Sequence, residues 1–186
     1  MTERLSYWMM VQKYRDGRPY QEPFRLTSEI NFENDYHVRL HVTNRQSGYL
    51  YILNEGPDPV NDLPSYVLLF PSPTANQGSA QSAANRQIAI PERGDGLFFD
   101  REQGTEKLWI VWSPAPVSEV ESVKGVVNLK DRGAITDPAR IRAVRDWLAK
   151  NNQPAQLALE KDERNKQTNV KGRGETLVHQ IRLEHH

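Results

Sequence analysis

The chain has 186 residues, 24 Lys and Arg against 24 Asp and Glu, and no cysteine. That length suits one domain with a proper core. Zero net charge removes the usual electrostatic case for nucleic acid or an anionic membrane. No apolar run approaches the roughly 18 residues of a membrane span, and the missing thiols exclude disulfides, thiolate catalysis and cysteine zinc sites.

In chain order, residues 4–12 (RLSYWMMVQ) alternate. Leu5, Tyr7, Met9 and Val11 oppose Ser6, Trp8, Met10 and Gln12, which predicts a first strand whose second face is partly apolar. Asp16-Gly17 marks a turn. Residues 21–26 read as a short return strand, and Pro23 within it favours an edge position. Residues 31–35 (NFEND) lead into the stretch that organises the chain, residues 35–73. There Tyr36, Val38, Leu40 and Val42 alternate with His37, Arg39, His41 and Thr43, the pattern of a strand with one buried and one wet face. Residues 44–48 (NRQSG) turn, with Gly48 able to take a positive φ. Residues 49–53 (YLYIL) are apolar on both faces, which predicts a strand inside its sheet and covered on both sides. A polar loop, 54–64, leads to 66–70 (YVLLF), again apolar on both faces. Pro71 and Pro73 end the pairing there.

Residues 74–85 (TANQGSAQSAAN) are small and polar and read as a long exposed loop. Residues 86–91 form a strand, 92–96 (ERGDG) a turn, 97–100 a short strand, 101–105 (REQGT) another turn. Residues 106–113 place Leu108, Ile110 and Trp112 on one face and Trp109 and Val111 on the other, a second strand covered on both sides. Ser118 and Glu121 have the S-x-x-E form of a capping box, so a short helix is expected with Val120 and Val123 at helical spacing. Asp137-Pro138 is a stronger start: Asp as N-cap, Pro at the first helical position. Ile141, Val144, Trp147 and Leu148 then form one apolar stripe, away from Arg140, Arg142 and Arg145. Asn151, Asn152 and Pro154 end that helix. Residues 160–175 (EKDERNKQTNVKGRGE) are charged and read as a solvated, poorly ordered loop. Residues 176–182 are a final strand. Leu183 to His186 (LEHH) read as the visible part of an expression tag. In a trimmed clone, the absence of a leader pattern at the start says nothing about compartment.

Candidate site residues are few. His37 and His41 share a strand face, but four residues along a strand separate them by roughly 13 Å, too far for one metal ion. A solvated strand face is expected for both. His179 stands alone and is expected to pair or sit exposed. Glu92, Asp95, Asp100, Glu102 and Glu106 gather in turns, where hard cations find oxygen ligands, but their spacing is not that of a calcium loop. Ser113, Ser118 and Ser122 lack a nucleophile-elbow setting. Gly172 and Gly174 follow no strand and match no phosphate-binding motif, so both are read as loop residues. Tyr7, Trp8, Tyr49, Tyr51, Tyr66, Phe70, Trp109 and Trp112 fall on predicted strands and are read mainly as core; an exposed patch of them would instead suit sugars or peptides. No catalytic, cofactor-binding or metal-binding residues are assigned.

The turn and strand GYLYILN (48–54), a loop, and a strand ending in LFP (69–71) resemble a bacterial family known only as domain of unknown function 4384. Further features recur in order: a strand ending in Ile90-Pro91, then LFFD (97–100), then Gly104, Thr105 and Glu106 opening the last long strand. The resemblance spans roughly residues 5–117. It implies a β-rich accessory module, of the kind found beside Ser/Thr kinase or caspase-like peptidase domains, and no established site residues. The expected fold is one domain, residues 1–182: an antiparallel β-sandwich of about seven to nine strands (core 4–117), a helical region (118–152) packed on it, then the charged loop and the final strand. The expected function is a non-catalytic protein-interaction or sensory module of a larger bacterial protein, envelope-associated or cytoplasmic. Its partner would be a neighbouring domain or another chain, with no nucleic acid, no membrane insertion and no cofactor. The alternative is a module binding glycan or cell-wall fragments through strand aromatics and the 74–85 loop.

Overall fold

The structure, a computed structural model, describes residues 1–26, 36–73, 76–92, 96–98, 104–124 and 133–185. The expected segment 31–35, the acids Asp95, Asp100 and Glu102 and most of the REQGT turn lie outside the described residues. The chain forms two antiparallel sheets. The first runs in the order β10 (Leu157–Asp162), β11 (Gln167–Gly172), β1 (Thr2–Arg15), β3 (Tyr36–Asn44), β7 (Gln87–Ile90). In it β2 (Arg18–Arg25) also pairs with β1, and β8 (Leu97–Phe98) with β3. The second runs β12 (Leu177–His185), β9 (Gly104–Ser113), β4 (Gly48–Glu55), β5 (Tyr66–Phe70), with β6 (Gln81–Ser82) pairing to β4. The expected sandwich is thus present.

Alternation along the strands fills the space between the sheets. Leu5, Met9 and Val11 of β1 and Val38, Leu40 and Val42 of β3 meet Leu50 and Ile52 of β4 and Leu108, Ile110 and Trp112 of β9. The other face of the second sheet is apolar as well. Tyr51, Leu53, Trp109, Val111 and Val178 pack under Ile141, Val144 and Leu148 of α2 (Pro138–Asn151) and under Val120 and Val123 beside α1 (Ser118–Glu121). That third layer explains why β4 and β9 are apolar on both faces: each lies inside its sheet, between a sheet and a helix. Asp137 caps α2 as expected, its carboxylate accepting from the Ala139 amide at 3.3 Å, with Pro138 in the first turn.

Several expectations need correction. Ser118 does not cap α1: the N-cap is Val117, which makes no side-chain cap, and Ser118 Oγ donates to Glu119 instead. Gly48 has no positive φ. It is required because a Cβ there would lie 2.7 Å from both the Ser113 carbonyl oxygen and the Trp112 ring, so the strand passes too close to its neighbour for any side chain. Residues 76–85 are not a loose exposed loop. Ala80 and Ser82 are buried, and buried Asn44 holds the segment: its amide donates to the Ser82 and Ala83 carbonyls, and its Oδ1 accepts from Ser82 Oγ at 2.7 Å. Residues 160–175 are not a poorly ordered loop either. They carry most of the β10–β11 hairpin, which extends the first sheet on the flank of β1. Val170 is its anchor, fully buried opposite Leu5. The final strand runs beyond residue 182: Leu183, set aside above with the tag-like end, pairs with Glu106 and is only 3% exposed.

Candidate functional site

The two outer faces differ. The second sheet is roofed by α2; the first has no such roof among the described residues, and its outer face carries His37, Arg39 and His41 on β3 opposite Gln12, Met10 and Trp8 on β1. Both histidines are half-buried rather than freely solvated. His41 stacks on Trp8 with ring centres 3.7 Å apart and planes 3° from parallel. Arg25, arriving from β2 on the opposite flank of β1, places its guanidinium carbon 3.7 Å from the same indole centre. Trp8 is therefore clasped between a cation and an imidazole. Burial, then the nearby Arg39 and Arg25 charges, lower the His41 pKa, and its Nδ1 lies 3.1 Å from the Gln87 amide nitrogen. His37 stacks on Tyr14 at 4.0 Å. Both His rings are engaged in aromatic stacks on separate neighbours.

The flagged aromatics divide. Tyr51, Tyr66, Phe70, Trp109 and Trp112 are buried, as the core reading expects. The Val117 amide donates to the Tyr51 oxygen at 3.1 Å, and burial above all pushes the Tyr51 phenol up to about 12. Burial raises Tyr66 further. Tyr7, Trp8 and Tyr49 are half-buried. Glu106 is in β9, not a turn, with its carboxylate accepting from Asn54 at 2.9 Å. Glu92 is exposed. Ser113 is buried at the end of β9 and Ser118 and Ser122 flank α1. Gly172 ends strand β11 rather than lying in a loop. Among the described residues, no group of three His, Asp or Glu side chains is placed to hold a metal ion. Nor is any helix there long and apolar enough to cross a membrane.

A concavity lies at one open side of the sandwich, where β12 and the β10–β11 hairpin end the two sheets. It is a cleft of about 590 Å³. Its floor holds Tyr7 and His179, which join the sheets across the gap: the Tyr7 oxygen is 3.2 Å from His179 Nε2, and the rings sit 5.4 Å apart. The lone His179 thus pairs, as expected, but it is buried. Desolvation holds its imidazole down at about 4, so near neutral pH the ring is uncharged. Burial raises the Tyr7 phenol, partly offset by a hydrogen bond from Thr168. Leu159, 55% exposed, and Lys161 line the rim from β10.

Sequence reasoning missed this cleft because one wall belongs to the charged segment. A signal was present. Leu157, Leu159 and Lys161 share one face of a six-residue strand, and Thr168 and Val170 supply branched residues at matching spacing. Comparison of the chain with family models, curated proteins and solved structures found no match to any of them.

Proposed function

We propose that the chain is a non-catalytic interaction module of a larger protein, engaging protein partners at the open side of its sandwich. The observation that carries this reading is the contrast within the cleft. It is wide, and it is bordered by strand edges that lack partners among the described residues. Yet the two protonatable groups on its floor titrate well away from neutral pH, where a general acid or base needs its pKa. The resemblance to domain of unknown function 4384 supports the same reading, as an accessory module of a bacterial protein.

The glycan reading depends on exposed aromatic faces. Tyr51, Tyr66, Phe70, Trp109 and Trp112 are buried, and Trp8 and Tyr14 already stack on neighbouring side chains, which weakens it. One experiment separates the two. A photo-reactive residue placed at Leu159 on the open side, or at exposed Arg142 on α2 as control, is introduced into the full-length protein. Protein crosslinks at position 159 but not at 142 are expected. No crosslink at either position, together with a cell-wall fragment that reproducibly raises the melting temperature, would replace this reading with the glycan one.

A further inference from the structure

Six consecutive residues of β12, from His179 to Glu184, line the cleft. Side chains of a strand alternate between faces. A cavity that touches all six must run along the edge of the strand, not over one face of it. That edge is bare: β12 pairs with β9 on one side, and no described residue makes a main-chain hydrogen bond to it on the other.

Other edges are blunted in the ways sheet proteins use, and β2 carries Pro19 and Pro23. On β10, Glu160, Lys161 and Asp162 put charges along the border. On β5, the Gly133 carbonyl and Ile135 amide pair with Leu68 and Tyr66. β7 is only four residues long. β12 is nine residues long and borders a cleft of mixed lining, in which Met9, Leu26, Leu159 and Ile181 supply apolar surface beside polar side chains.

The charges along the rim add a preference. Lys161 lies in register with Thr168 of β11, which is in register with Tyr7 of β1, so it belongs to the same inward row as the polar floor. Among the described residues, neither Lys161 nor Lys166 has an ion pair. By contrast the Asp162 carboxylate accepts from the Asn165 amide and side chain, and Glu184 accepts from Thr105. Of the rim acids, Glu163 alone has no partner among the described residues.

Resting on the interaction-module reading, we infer that the cleft takes an extended peptide of a partner protein, which adds to the second sheet as a strand on the bare edge of β12 and sets a carboxylate against Lys161. Main-chain hydrogen bonds to β12 supply a sequence-tolerant part of the binding. Alternate apolar side chains enter the cleft, and the acidic residue fixes register.

The test uses the intact chain and a phage-displayed library of random decapeptides. Enriched peptides are expected to alternate apolar and polar residues and to carry an acidic one. Their alternate residues are then N-methylated in two sets. One set is expected to weaken binding at least about tenfold, because each methyl removes a ladder donor, and the other to change it less than about twofold. Hydrogen exchange should slow in β12 and not in β7 or α2, and Lys161→Glu should weaken binding about tenfold. Equal tolerance of both methyl sets, or protection away from β12, overturns strand addition while leaving a protein-interaction role standing. Failure to enrich any peptide that protects β12 overturns it as well. The same failure, joined by a glycan that raises the melting temperature, removes both readings.

Discussion

The two flanks of the molecule are built on different principles. Strands β4 and β9 have a sheet below and a helix above, so Leu50 to Leu53 and Leu108 to Ser113 are buried without a break. The β10–β11 hairpin has one covered face and an outer border of charge, and its hold on the core comes largely from Val170 and from the ladder to β1. In the first region side chains dictate the structure. In the second the backbone does, and side chains only permit it. A chain segment can thus be strongly polar and still be a strand, provided a neighbour offers it an edge.

Mutation should expose this contrast most sharply at Ile52, which is fully buried in β4. Ile52→Ala is expected to cost roughly 2–5 kcal/mol in a denaturant titration. A loss under about 0.5 kcal/mol would mean the two flanks are alike.

The next effect lies at the junction of the flanks. His179 has its pKa lowered from 6.5 to about 4 by burial. Above pH 6.5 neither the folded nor the unfolded chain protonates this ring, and it adds no pH dependence. As pH falls through the interval down to about 4, the unfolded chain takes up the proton and the folded one resists, so stability drops. The full loss is roughly 3 kcal/mol, levelling off below pH 4. His179→Gln should flatten the stability profile across that window; an unchanged slope would show that His179 is not desolvated.

A smaller effect is expected at Asn44. Asn44→Ala removes the donor to the Ser82 and Ala83 carbonyls and the acceptor for Ser82 Oγ, a cost of about 1–3 kcal/mol. Limited proteolysis should then cut within residues 76–85, which the parent protein resists. The smallest effect belongs to the open flank. Leu159→Ser, at a position 55% exposed, should shift stability by less than about 0.5 kcal/mol. A larger shift would mean that the hairpin leans on its side chains after all.

The same contrast explains what was legible in the sequence. The alternation of residues 36–43, the doubly apolar 49–53 and 106–113, and the Asp137-Pro138 start all mark elements whose side chains face a core, and each is found in place. Residues 160–175 and 74–85 were opaque because burial there is local and sparse. One valine anchors the hairpin, and one asparagine, distant in sequence, supplies the hydrogen bonds that order the other segment. Hydropathy cannot register a backbone partner or a single polar tether. The cleft was invisible for the same reason, since it exists only where the ends of two sheets come to stand beside each other.

The edge of β1 that takes β2 along its second half takes β11 along its first, and β9 receives β12 as its outer neighbour. During synthesis β1 meets β2 and β3 early, but half of its border stays vacant until β11 has been made. Contacts so far apart in sequence are slow to form, and unpaired borders invite association with other chains in the meantime. The open side therefore comes into being after the middle strands. A product cut short before β10 that folds its middle strands lacks the walls that β10 to β12 supply, so it cannot present the cleft to a partner.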